Sequence, residues 1–192
     1  MQLNGEIRID APREQVYAAL NDPEILRNSI PGCEDLVALS ETELVATVVT
    51  RIGPIKAKFT GHVTISDLNP PSSYTISGEG KGGPAGFAKG GAKITLEEDG
   101  DATVMRYEVR VDVGGKLAQL GGRLIEGTAK KLSADFFNAF KREVAGPEDE
   151  EAAATATAPA LEGARMSASR PLVLIVGTAS VLVVLYYLIA AL

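Results

Sequence analysis

At Gly114-Gly115 the period of the apolar residues switches from that of a strand to that of a long helix, and that change limits the folds open to this chain. Upstream, Ile55 to Leu68 alternates most clearly. Ile55, Ala57, Phe59, Gly61, Val63 and Ile65 take one side, and Lys56, Lys58, Thr60, His62, Thr64 and Ser66 take the other. A period of two with one apolar and one polar side belongs to a strand with one buried face. Downstream, Leu117, Leu120, Leu124, Ala129, Leu132, Phe136, Phe137 and Phe140 recur at helical spacing, with Arg123, Glu126, Lys130, Lys131, Asp135 and Lys141 opposite. An apolar sheet face needs a cover, and this long helix is the element large enough to provide it.

The rest of the first 145 residues fits around that pair. Leu3, Gly5, Ile7 and Ile9 alternate with Gln2, Asn4, Glu6 and Arg8, which predicts a half-buried first strand. Asp10 is placed to cap a helix with Pro12 in its first turn and an apolar stripe of Val16, Tyr17 and Leu20. Asp22-Pro23 repeats the start signal for a second short helix carrying Ile25, Leu26 and Ile30, which Pro31-Gly32 stops. Strands are then predicted over Leu36–Leu39, Leu44–Arg51, Ile55–Leu68, Tyr74–Lys81, Ala88–Glu97 and Ala102–Val113, with Glu98-Asp99-Gly100-Asp101 as the last hairpin turn. Short connections between consecutive strands imply an antiparallel meander.

The tail reads differently. From Gly146 to Arg170 the chain is acidic and then rich in Ala, Thr and Ser, as a flexible linker is (146–170). Pro171 to Leu192 carries no charge, and about 20 apolar residues suffice to cross a bilayer, so 171–192 is expected to be a C-terminal transmembrane anchor. No basic region followed by an apolar stretch opens the chain, and Arg165 and Arg170 precede the anchor, so the domain is expected on the cytoplasmic side of the cytoplasmic membrane. Cys33 is the single cysteine, which fits a reducing compartment. A formal net charge of −6 argues against nucleic acid as a partner, since such binders present a basic field.

Catalytic chemistry is not legible. His62 falls on the polar side of its strand, Cys33 has no second thiol or histidine to pair with, and Glu97, Glu98, Asp99 and Asp101 occupy a turn where solvated charge is the default. The glycines at 82, 83, 86, 90 and 91 follow strands without opening a helix, so no nucleotide fingerprint is present.

The order strand, two short helices, meander and long C-terminal helix resembles the helix-grip fold of the START/Bet v 1-like superfamily, an α+β fold. Within it, DPEILRNSIPGCEDL from Asp22, GPIKAKFTG from Gly53, GFAKGGAKITL from Gly86 and VGGKLAQLGGRLI from Val113 resemble the CoxG subunit of carbon monoxide dehydrogenase. The resemblance covers nearly all of residues 1–145. It implies an accessory, non-catalytic role beside a molybdenum-containing carbon monoxide dehydrogenase or a related molybdenum hydroxylase at the cytoplasmic membrane. The fold also implies an apolar cavity under the long helix. Candidate lining residues are Phe59, Gly61, Val63, Ile76, Gly78, Phe87, Gly90, Ala92 and Tyr107 from the sheet, with Leu117, Leu120, Leu124, Leu132, Phe136 and Phe140 from the helical side.

Two explanations compete for the small residues Gly61, Gly78, Gly80, Ala88, Gly90 and Ala92: strong sheet curvature, or space for an apolar ligand. On the second, an isoprenoid quinone such as menaquinone or ubiquinone is the expected, non-covalent occupant, linking the dehydrogenase to electron transport. Gly114-Gly115 would then hinge a lid over Lys116 to Gly122. The alternatives are a pure docking adaptor using surface residues near Arg27, Asn28, Pro31 and Gly32, or a lipid-transfer or cyclase-like protein of the same superfamily.

Overall fold

The computed structural model describes residues 2–145. Strand β1 (Gln2–Ile9) alternates as its sequence requires, with Leu3, Gly5 and Ile7 half-buried, Ile9 buried and the intervening polar residues exposed. Helix α1 (Arg13–Ala19) follows, but Asp10 does not cap it. The helix starts after Pro12, whose fixed φ already suits a helix entry, and the Asp10 carboxylate meets Arg8 instead. The start of α2 (Pro23–Ser29) is the expected one. Asp22 Oδ1 accepts hydrogen bonds from the backbone N–H of Glu24 (2.8 Å) and Ile25 (3.2 Å).

Six further strands follow: β2 (Cys33–Ala38), β3 (Glu43–Ile52), β4 (Ile55–Asn69), β5 (Ser73–Lys81), β6 (Phe87–Asp99) and β7 (Ala102–Gly114). They form one antiparallel sheet in the order β1-β7-β6-β5-β4-β3-β2, so β1 joins the free edge of the meander. Most strands extend past the expected bounds by one to three residues, because ladder pairing continues past the clearly alternating side chains and takes Glu98 and Asp99 of the expected turn into β6, whereas β2 ends at Ala38, one short of Leu39.

Glycines run across the middle of this sheet from strand to strand: Gly61 pairs with Gly80, and Gly78 with Gly90. A Cβ on Gly78 would lie 2.8 Å from the carbonyl oxygen of His62, and one on Gly90 would lie 2.1 Å from that of Arg110. At these two positions a neighbouring backbone occupies the place of the side chain, and close approach of that kind accompanies strong sheet curvature.

Helix α3 (Gly122–Ala145) starts later than the change of period suggests. Gly115 (φ +77°) and Gly121 (φ +83°) lie in the left-handed region, which a right-handed helix cannot run through, so Lys116 to Leu120 forms a turn and the short 3₁₀ helix Ala118–Leu120. The buried face of α3 is Ile125, Ala129, Ser133, Phe136, Phe137, Phe140 and Val144, at steps of three and four. Its C-terminal end is fixed to both short helices. Gln15 Nε2 donates to the Val144 carbonyl (3.0 Å), and Asn28 Nδ2 donates to Glu143 (3.4 Å).

No helix among the described residues is long and apolar enough to cross a membrane. The expected linker (146–170) and anchor (171–192) lie outside the described residues.

Candidate functional site

Most of the residues expected to line a cavity share one buried cluster. Phe59, Val63, Ile76, Ala92, Leu117, Phe136 and Phe140 all belong to it, with Leu120, Leu132 and Tyr107 packed against it and half-buried. Gly61 is buried, and Gly78 and Gly90 are intermediate. Phe59, Ile76, Phe136 and Phe140 have almost no accessible surface, so their side chains are packed against neighbouring atoms. In this conformation their part of the interior is filled by its own side chains, and Phe136 stacks on Phe140 at 5.6 Å between centroids.

Two of the expected lining residues are elsewhere. Phe87 is 41 % exposed and Leu124 is 42 % exposed. Phe87 opens β6 on the side opposite Ala88, Gly90 and Ala92, and its ring covers the place where Gly114 would carry a Cβ. Leu124 precedes the residue that does face inward, Ile125, and leans on Gly53 instead.

One end of the domain is built from three glycine-rich connections: Gly53-Pro54 between β3 and β4, Gly82 to Gly86 between β5 and β6, and Gly115 to Gly121 between β7 and α3. The second and third touch one another. A Cβ on Gly86 would lie 2.1 Å from the Gly114 carbonyl oxygen, and one on Gly82 would meet the Phe59 ring. From the third connection Leu117 points into the core and is fully buried, while its N–H donates to the Ala85 carbonyl (3.0 Å). Lys116 and Ala118 on either side of it are exposed, so a single side chain plugs this end. Outside the plug, Pro54, Ile55, Ala57, Pro84, Ala85 and three lysines line an open depression of about 580 Å³.

The opposite end holds two residues that sequence reasoning assigns only to packing. Tyr74, near the start of β5, is fully buried, and its ring meets that of Tyr17 from α1 edge-on at 5.9 Å. Neither phenol oxygen has a hydrogen-bond partner among the described residues. Burial raises the phenol pKa of Tyr17, and raises that of Tyr74 well above its ordinary value with a further contribution from Tyr17. No periodicity signals such a pair, because alternation places Tyr74 correctly inward but says nothing of what faces its oxygen.

A third feature lies between β1 and α3. Tyr107 lies across Gly5, where its ring takes the space of a Cβ, and stacks on Phe137 at 5.9 Å. Together with Leu3, Ile7 and Ala134 they line a cleft of about 270 Å³. Burial raises the Tyr107 phenol pKa as well. Away from these features, His62 is exposed, and burial pushes the Cys33 thiol up despite the nearby Arg27. Among the described residues no three of His, Cys, Asp and Glu gather as a metal site would need.

This architecture is shared with proteins of known structure, and the sequence places it more narrowly. The family model for CoxG, a subunit of carbon monoxide dehydrogenase, matches residues 5–145. The chain belongs to this family. A conserved protein from Geobacillus kaustophilus is 34 % identical, with a TM-score of 0.72 over 76 % of this chain and 95 % of that one. A START superfamily protein from Mycobacterium smegmatis (14 % identical, TM-score 0.59, 75 % and 97 % covered) is similar in fold. So is the ZhuI aromatase/cyclase from Streptomyces sp. R1128 (15 %, 0.55, 82 % and 99 %). No curated protein matches the sequence. The four motif stretches lie within the matched residues, and three of them, from Gly53, Gly86 and Val113, supply walls of the plugged end.

Proposed function

We propose that this CoxG protein is a non-catalytic accessory protein that recruits a molybdenum-containing carbon monoxide dehydrogenase to the cytoplasmic membrane. Its START-like domain takes up an apolar ligand there, a respiratory quinone such as menaquinone or ubiquinone, and so links the enzyme to electron transport. The family supports the accessory role, because its name is that of a subunit of that dehydrogenase.

The observation that carries the ligand part is the plug. Leu117 fills the end of the core from a segment bounded by Gly115 and Gly121, both at positive φ, and its buried side chain is backed by one backbone bond to Ala85. Rotation about two glycines moves such a segment without strain on its neighbours, which is how short lids open. Withdrawing Leu117 exposes an apolar interior bounded by Phe59 on one side and α3 on the other. An isoprenoid tail gains about 0.8 kcal/mol for each CH₂ it buries, so several isoprene units would offset the loss of one leucine from the core.

Mass spectrometry of organic extracts from the full chain, purified in detergent from a quinone-producing host, tests this reading. A stoichiometric quinone is the expected result, and Leu117→Trp, which enlarges the plug, should lower its occupancy. An extract without quinone, from protein that still binds the dehydrogenase, would leave the second reading: a docking adaptor without ligand. The filled state of Phe59, Phe136 and Phe140 favours that alternative.

A further inference from the structure

The two ends of the domain differ in charge as sharply as in backbone. The segments that build the plugged end, 52–56, 81–87 and 114–124, carry Lys56, Lys81, Lys116 and Arg123 and not one Asp or Glu, in a chain whose formal net charge is −6. Lys56, Lys116 and Arg123 are exposed, and none of the three has an ion pair among the described residues. Of the carboxylates next along the chain, Glu79 pairs with Lys81 (3.5 Å) and Glu126 with Lys130 (2.7 Å), while Asp112 is exposed opposite Lys89 in the β6–β7 ladder. The far end carries Glu97, Glu98, Asp99 and Asp101 in one hairpin, three of them paired with Arg106, Arg13 and Arg8.

At the cationic end exposed apolar side chains stand among these unpaired cations, whereas the other exposed ones, Val37, Leu39 and Leu68, lie elsewhere, in β2, the turn after it and β4. Phe87 and Leu124 are two of the five exposed large hydrophobic residues of the described chain, and Pro54 and Pro84 are exposed between them. Lysine and arginine around protruding apolar groups form a surface suited to the headgroup region of a bilayer, where the rings and aliphatic side chains enter the interface and the cations meet lipid phosphates.

We propose that this end of the domain, centred on Leu124, Phe87, Lys56, Lys116 and Arg123, docks on an anionic lipid bilayer and sets the Leu117 plug against the membrane. The inference deepens the proposed membrane role and does not depend on a quinone, so the two fail separately: extraction reads the ligand, and contact with lipid reads the docking. An acidic protein surface is the competing occupant. A bilayer is favoured because the apolar groups protrude singly around an open depression, with no continuous apolar face for a protein to bury.

The chain contains no tryptophan, so one introduced indole reports its own surroundings. The full chain carrying Leu124→Trp is reconstituted in phosphatidylcholine vesicles with or without phosphatidylglycerol, in each case with bromine-labelled acyl chains as quencher. Leu68→Trp, at the far end of β4, is the control; Leu68 is itself exposed. Expected are a blue shift and strong quenching of the indole at position 124 in anionic vesicles, weak quenching in neutral ones, and none at position 68. The variant Lys56→Glu/Lys116→Glu/Arg123→Glu, with folding checked by circular dichroism, should reduce the docked fraction by more than about tenfold, and salt should weaken docking of the unaltered end. Equal quenching at both positions, indifference to phosphatidylglycerol, or protection of the indole at position 124 by the dehydrogenase alone would overturn the proposal.

Discussion

The α1 end of the domain and the Leu117 end close the same core by opposite means. At the α1 end, side chains bind elements distant in sequence: Thr103 Oγ1 donates to the Ala11 carbonyl (2.7 Å), Gln15 reaches the last turn of α3, and Arg13 bridges to Glu98 (2.7 Å). At the Leu117 end, closure rests on glycine backbones in contact and one leucine side chain, with one N–H to Ala85 holding the plug. An end locked by long-range side-chain bonds opens when the domain unfolds. An end closed by a short segment between two glycines can open while the rest stays folded, because few buried groups must be released.

The comparison breaks most directly in the middle of the core, which both ends depend on. Phe140 has no accessible surface and stacks on Phe136. Phe140→Ala should destabilise the domain by about 3–5 kcal/mol, the usual cost of a large cavity in a packed interior. Urea unfolding followed by circular dichroism measures it. A loss below about 1 kcal/mol would mean that this part of the core is loosely filled, and the division into a rigid interior and one openable end would fail.

The second test sharpens the contrast at the plug. Leu117→Ala removes a fully buried leucine, for which about 2 kcal/mol is the low end of the ordinary range. The low end is expected because the segment contributes one side chain and little else. Amide hydrogen exchange should show the difference in place: faster exchange at Leu117 and Leu120, whose N–H groups donate to Ala85 and Leu117, with little change in β6 and β7. Uniform acceleration across the sheet would show that the plug is part of the global core.

How much of this the sequence discloses depends on whether a property is periodic. Alternation and the turns between strands locate the sheet, least well at β2, which does not alternate in burial and starts three residues before the expected Leu36, and the Asp22-Pro23 signal locates α2 and its cap, because these are local patterns with a direct backbone consequence. Asp10 carries the same residue type but lies two positions too early, since Pro12 alone fixes the helix entry. The outward place of Phe87 is legible, although its size argues for the interior: Ala88, Gly90 and Ala92 set the parity of β6, and that parity puts Phe87 outside. Leu124 is less legible. Its face depends on where α3 begins, and that depends on the φ of Gly115 and Gly121, which composition does not report. For Gly78 and Gly90 the sequence is consistent with both curvature and space. Only the distance from an added Cβ to the next strand decides it, in favour of curvature at those positions.

The smallest effect at neutral pH, and the finest probe of the locked end, is Tyr74→Phe. The Tyr74 phenol is buried with no partner among the described residues, so removing its oxygen leaves no donor or acceptor orphaned and should change stability by less than about 1 kcal/mol. The pH dependence carries more information. Burial raises this phenol's pKa well above its ordinary value of 10.0, so above that pH the unfolded chain releases a proton that the folded chain retains. With fewer protons bound in the unfolded state, stability is complete below the unfolded pKa and falls as pH rises through the range between the two. The steepest fall attributable to one such group is about 1.4 kcal/mol per pH unit. Tyr74→Phe should flatten that alkaline fall, leaving a smaller slope from Tyr17 and Tyr107, whose pKa values burial also raises. If instead the variant loses more than about 1 kcal/mol at neutral pH, the oxygen has a buried partner such as an ordered water. The Tyr17–Tyr74 pair would then be a polar site at the closed end of the interior and not a packing contact.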